Sequence, residues 1–195
     1  MSTLAIPFLS PEKYLEIERQ AEFRSEYING QAYAMSGGTS NHAWIISNTL
    51  IELGGQLRGK SCGAMSSDMR VYSKTYGLYT YPDVVVACSP LQFLDKHKDT
   101  ITDAVVIIEV LSPSTRNYDR SEKFDFYRSL PSFTEYLLIE QHSIRAEHRV
   151  RQPNGSWLFT DYTSSEDVIE LASIGSRLTL GPLYERVEFE PVPTA

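Results

Sequence analysis

Ala104-Val105-Val106-Ile107-Ile108-Glu109-Val110-Leu111-Ser112-Pro113-Ser114-Thr115 is the stretch on which the fold turns. An apolar, largely β-branched run of this length, closed by Ser/Pro turn chemistry, reads as a strand buried on both faces. Such strands seldom carry a carboxylate, and an ionised one is costly in a core unless a basic side chain or a metal ion compensates it. Glu109 therefore asks for a partner. Downstream, Asp119, Lys123 and Tyr127 recur at i, i+4 and i+8 before Leu130-Pro131 ends the pattern, so on a helix they share one face. Upstream, Asp83 follows Pro82 and opens a second β-branched run, Val84-Val85-Val86. The polar loop from Ser89 to Thr102 is long enough to bring the two runs side by side, and Asp83 and Glu109 could then share one divalent cation. Mg²⁺ prefers oxygen ligands and typically takes one or two protein carboxylates, with water and phosphate completing its shell.

The composition bounds the rest. With 195 residues, the chain suits a single soluble domain over 1–190, and the Pro-rich end, 191–195, reads as a loose tail. Eighteen basic against 25 acidic residues give a net charge of -7, which argues against an extended nucleic-acid footprint but leaves room for a local basic or metal-loaded cleft. Cys62 and Cys88 are too few and too isolated for a disulfide framework or a zinc site, so they are expected as small apolar residues in a reducing cytosol. The first residues lack a basic and apolar leader pattern, and no stretch has the length of a membrane span, which points to a cytoplasmic protein without membrane partners.

Local signals supply the remaining elements. Ser10-Pro11-Glu12 starts a helix running to about Gln20. Asn29-Gly30 joins strands Ser25–Ile28 and Gln31–Met35 in a hairpin, with Glu26 on the first strand. After Ser36-Gly37-Gly38-Thr39 a helix spans about Ser40 to Leu57, with Ile46, Leu50, Leu53 and Leu57 on its apolar face and Gly59 as stop. His42 lies one turn before Ile46 on that face. Strands are expected at Asp68–Tyr72, Tyr79–Cys88, Glu135–Glu140, Ile144–Arg151, Trp157–Tyr162, Val168–Ile174 and Arg177–Leu180, with Pro153-Asn154-Gly155 closing a second hairpin.

Pro82-Asp83, then Glu109-Val110-Leu111-Ser112-Pro113-Ser114-Thr115, then Asp119, Lys123 and Tyr127, resembles the Uma2 (DUF820) family, a branch of the PD-(D/E)xK nuclease superfamily. The likeness runs from the first helix, through Glu26-Tyr27-Ile28-Asn29-Gly30 and His42, to Glu135-Tyr136-Leu137-Leu138-Ile139. It implies an α/β (α+β) fold with a restriction-endonuclease-like core, a mixed central β-sheet flanked by helices, and added β-hairpins. It further implies a metal-dependent phosphodiester hydrolase using Mg²⁺ or Mn²⁺, with Asp83 and Glu109 as metal ligands. Lys123 and Glu26 would join them as catalytic residues, and Asp119, Tyr127 and His42 would support them. One position departs from the superfamily pattern: Leu111 stands where the lysine of ExK would be, and Lys123 on the following helix is its substitute.

Each residue also has a plainer reading. Glu109 and Lys123 could form a structural ion pair, Asp83 could be a turn acid, and Asp119 could be an N-cap for the helix carrying Lys123. Tyr127 could be core, Glu26 could pair with Arg24 or Arg70, and His42 could be a satisfied core histidine. Three functions are therefore open: a Mg²⁺-dependent endonuclease acting on nucleic acid, DNA above all; a catalytically inactive binding or assembly protein on the same fold; and a hydrolase of smaller phosphate esters. Cutting two antiparallel strands favours a homodimer, with β edges near the second hairpin as its contact.

Overall fold

The computed structural model describes residues 8–35 and 37–189; Ser36 and the 191–195 tail lie outside the described residues. The elements are, in order, α1 (Pro11–Glu18), β1 (Ser25–Ile28), β2 (Gln31–Ala34), α2 (Ser40–Leu57), β3 (Cys62–Ser66), β4 (Arg70–Ser73), β5 (Leu78–Thr80), β6 (Val84–Cys88), β7 (Thr100–Ile101), β8 (Val106–Leu111), α3 (Arg116–Arg120), α4 (Glu122–Arg128), β9 (Glu135–Glu140), β10 (Ala146–Arg151), β11 (Trp157–Tyr162), β12 (Val168–Leu171), a 3-10 turn (Ala172–Ile174), β13 (Ser176–Thr179) and α5 (Leu180–Leu183). This is the mixed α+β architecture expected from the sequence.

Six strands form the principal sheet in the order β11-β10-β9-β8-β6-β3, with β8 and β9 parallel and the other pairs antiparallel. The second sheet runs β2-β1-β5-β4-β7, and β12 and β13 make a separate ribbon. Among the described residues no helix is long and apolar enough to cross a membrane.

Strand β8 is buried along its whole length, as its β-branched run requires. Side chains alternate across a strand, so Val106, Ile108 and Val110 face one way and Ile107, Glu109 and Leu111 the other. The first set meets α2 through Ile45, Leu53 and Leu57, together with β12, β13 and α5. The second set meets α4 and the turn after it through Phe124, Tyr127, Leu130 and Phe133. Glu109 thus projects from the centre of the sheet toward α4.

Several expectations change. On α2 the fully buried stripe is Ile45, Thr49, Leu53 and Leu57; Ile46 and Leu50 pack at its margin. The Tyr79–Cys88 run is cut at Pro82 into β5 and β6, which belong to different sheets, because proline supplies no N–H to a ladder. Strand β3, with a single long apolar residue in Cys-Gly-Ala-Met-Ser, carries no strand propensity of its own; pairing with β6 makes it a strand. That pairing sets Cys62 directly opposite Cys88, and the two form a disulfide. The expectation of free thiols is therefore wrong: isolation in sequence was erased by register. Residues Ala172–Ile174 leave the strand for a 3-10 turn, and Leu180 opens α5.

Candidate active site

The acids converge because of register. Val84 pairs with Ile108, so the next pair outward sets Asp83 opposite Glu109. Their link is visible in the backbone: Val110 N–H donates to Asp83 Oδ2 at 2.7 Å, and Asp83 N–H points at Glu109 Oε2 at 3.4 Å. Pro82 ends the ladder at this point and frees the Asp83 side chain to turn toward the end of β8.

Lys123 reaches the same place from above. Its Nζ lies 2.9 Å from Glu109 Oε1, 3.2 Å from Glu26 Oε1 and 3.7 Å from Asp119 Oδ1. Tyr127, one turn further along α4, donates its hydroxyl to Glu109 Oε1 at 3.0 Å. Glu26 comes from β1 in the other sheet and is held by the Thr80 hydroxyl. It does not pair with Arg24, which binds Asp68, or with Arg70, which binds Asp99 at 2.5 Å. Leu111 faces the same side as Glu109 but is fully buried against the apolar cluster under α4, so the strand has no room for an amine there.

Asp119 differs from one expectation. The helical pattern is broken at Ser121 (φ -115, ψ -89) into α3 and α4, so Asp119 does not cap the helix that carries Lys123; it is the buried residue of α3. The i, i+4 relation survives the break and still brings Asp119 to Lys123.

His42 enters from the first turn of α2. Thr39 caps that helix by accepting from His42 N–H, and His42 Nε2 lies 3.2 Å from Asp83 Oδ2. Gly38 makes the approach feasible: a Cβ there would stand 2.8 Å from His42 Nδ1. Gln141 braces the arrangement, donating to Leu111 C=O at 2.9 Å and accepting from the Thr39 hydroxyl at 2.5 Å.

The electrostatics follow from crowding. Burial and the neighbouring carboxylates of Asp83 and Asp119 hold the Glu109 carboxyl well above the usual range, although Lys123 works against them. Asp119 is raised by burial for the same reasons. Burial opposes the charge on Lys123, yet Glu109, Glu26 and Asp119 outweigh it and keep the ammonium protonated. For His42 burial is likewise overcome, chiefly by Asp83, and its imidazolium is favoured.

These residues form the floor of a cavity of about 640 Å³ that contains Glu26, Asp83, Glu109, Asp119, Lys123 and His42 in its lining. Sequence reasoning missed two contributors. Thr80 fixes Glu26, and Tyr118 lines the cavity beside Lys123, whose Nζ is 6.0 Å from the ring centre.

The donor set suits a hard dication. Asp83 and Glu109 offer oxygen only, and carboxyl groups outnumber the one ammonium around them. Among the described residues no three His, Cys, Asp or Glu side chains converge on one point, so these two would supply a partial shell of the kind Mg²⁺ uses.

Residues 11–181 match the model of the Uma2 family, described as "Putative restriction endonuclease". The chain belongs to the Uma2 family. Two Synechocystis sp. (strain PCC 6803) proteins are similar to it. "Uncharacterized protein slr1290" is 37% identical over 94% of this chain and 95% of its own length, and "Uncharacterized protein sll1609" is 34% identical over 84% and 93%. The fold resembles the crystal structure of a "putative nuclease belonging to DUF820" from Anabaena variabilis. The TM-score is 0.75 at 14% identity, covering 92% of this chain and 99% of that one. In this Uma2 chain the ammonium beside Glu109 comes from α4 and not from β8.

Proposed function

We propose that this Uma2 protein is a metal-dependent phosphodiester hydrolase, an endonuclease, in which Asp83 and Glu109 hold Mg²⁺ or Mn²⁺. The observation that carries this reading is the position of Lys123. Its ammonium sits against Glu109 at the cavity floor, although it arises from the helix after the strand. A divalent ion on the two acids would supply a Lewis acid for the phosphoryl oxygens.

The chain's own residues do the remainder. Lys123 offers a fixed positive charge to the negative charge that grows on the phosphoryl oxygens, and Glu26 and Asp119 keep that ammonium protonated and aimed. Val110 N–H and His42 fix the rotamer of Asp83, and Tyr127 fixes that of Glu109. A water-excluding floor strengthens each of these interactions.

The substrate on this reading is nucleic acid, DNA first, and the site of action the cytoplasm. A homodimer is expected through the edge strand β11, where Leu158 and Phe159 are 55% and 54% exposed; a monomeric mass by light scattering overturns that. The hydrolase itself is tested with purified protein, DNA and RNA, and Mg²⁺ or Mn²⁺. Cleavage that disappears in Asp83→Ala and Glu109→Ala, with metal uptake by calorimetry lost in parallel, supports it. Intact nucleic acid in every condition, with unchanged metal uptake in both variants, sinks it.

A further inference from the structure

The cavity above the acid–lysine floor has the dimensions and lining of a small-molecule pocket. Its volume, about 640 Å³, falls inside the range of roughly 300–1,000 Å³ typical of ligand sites. One wall is the β1–β2 hairpin. Glu26 pairs directly with Tyr33 across that ribbon, so both side chains stand on the same face, with Ile28 two residues on from Glu26. Tyr33 is half exposed, and Met35 extends the same wall. An aromatic and apolar surface is thus placed immediately beside the carboxylates.

A second observation comes from Tyr118. It also lines the cavity, yet its hydroxyl is buried and has no hydrogen-bond partner among the described residues. Its ring adds a second aromatic face to the lining, with Lys123 Nζ 6.0 Å from the ring centre.

The charges point the same way. Glu26, Asp83, Glu109, Asp119 and Glu122 line the cavity against two cations, the His42 imidazolium and the Lys123 ammonium, the latter already shared by three of them. In formal charge even one bound dication leaves the lining negative. Duplex DNA carries a charge about every 1.7 Å of its axis and needs a basic track, which this lining lacks. Its stacked bases, moreover, could not reach the hairpin wall unless flipped out. A single unpaired nucleotide brings one diester and one free aromatic face.

We propose that the cavity accepts one unpaired nucleotide unit, its base stacked on the Tyr33 wall and its phosphodiester at the Asp83–Glu109–Lys123 floor. The substrates are then unpaired strands or small nucleotide diesters, and intact duplex is excluded. This rests on the hydrolase reading for its chemistry, but its binding half stands separately.

The test compares cleavage of a thymidine dinucleotide, a short oligothymidylate and a blunt duplex with Mg²⁺. It adds calorimetric binding of a methylphosphonate dinucleotide, which is uncharged at phosphorus and resists hydrolysis. The expected result is at least about tenfold faster cleavage of unpaired substrates than of duplex. Tyr33→Ala raises KM roughly tenfold with little change in kcat, and Tyr33→Phe restores it. Preference for the dinucleotide over the oligomer marks small diesters as the source, and the reverse marks unpaired strands. Duplex cut as fast as single strands overturns the proposal while leaving the hydrolase intact. No cleavage of anything, with analogue binding that Tyr33→Ala abolishes, removes the hydrolase and keeps the pocket assignment. Neither cleavage nor analogue binding removes both.

Discussion

Two carboxylates are buried in the same sheet, each beside a nitrogen base, and they behave in opposite ways. Glu135 on β9 meets His148 on β10 at 2.7 Å, and its other oxygen accepts from Ser173 N–H at 2.7 Å. Burial would raise its carboxyl, but His148 and Ser173 more than offset that, and it is held below the usual range. Glu109 on β8 meets Lys123 at a similar distance, yet three further carboxylates crowd the pair and its carboxyl is driven up. The first pair is closed, with both oxygens satisfied, and it ties the 3-10 turn to the sheet. The second is over-supplied with negative charge and opens on a cavity. A buried acid–base contact says little by itself; what surrounds it separates a closed fastener from the site proposed above for catalysis.

The comparison can be broken most severely at Glu109. Glu109→Gln should lower phosphodiester cleavage by about 10³-fold or more, measured as kcat/KM with Mg²⁺, while the fold is kept by circular dichroism. Glu135→Ala should do the reverse. Leaving the buried His148 and Ser173 N–H without their carboxylate partner should cost about 2 kcal/mol in urea unfolding, with cleavage per folded molecule unchanged. If Glu135→Ala also destroyed activity in the folded fraction, the two pairs would not be distinct in role.

A subtler contrast is in pH. The folded Glu109 holds its proton to higher pH than the unfolded chain does, so its contribution is present below the unfolded value and declines as pH rises toward the folded one. Glu109→Gln should therefore be more stable than wild type at neutral pH, by about 1 kcal/mol, because Lys123 keeps Glu26 and Asp119; the advantage should vanish in acid. Glu135 is depressed on folding, so its stabilisation is present above the unfolded value and lost as pH falls through the folded one. The deficit of Glu135→Gln should accordingly shrink toward acid. Unfolding curves at several pH values read both slopes, and slopes of the same sign would contradict the assignment. The smallest effect is expected for Tyr127→Phe, which removes one hydrogen bond to Glu109 Oε1. It should change stability by no more than about 1 kcal/mol and slow cleavage only several-fold.

How much of this could be read from residues alone depended on range. Glu109 stood out because a carboxylate interrupts a β-branched run, and Asp83 because Pro82 precedes a second such run. The i, i+4, i+8 spacing put Lys123 and Tyr127 on one face, and both meet Glu109 even though the helix is broken at Ser121. What stayed hidden was decided by contacts between distant segments. Strand β3 exists through its ladder to β6, and the Cys62–Cys88 bond depends on that register. Thr80 and Tyr118 carry no pattern of their own; they matter because β5 brings Thr80 to Glu26 and α3 brings Tyr118 to a cleft that the linear chain does not show.

The placement of Lys123 on α4 has one more consequence. A lysine two residues after the acid on a central strand would be lost only when the sheet itself unfolds. Here the ammonium rides on a helix of seven residues, separated from α3 by a backbone break. Short helices open locally at a fraction of the global unfolding free energy. On heating, cleavage should therefore fail several degrees before the sheet melts, and amide exchange in α4 should rise with that loss while β8 and β9 stay protected.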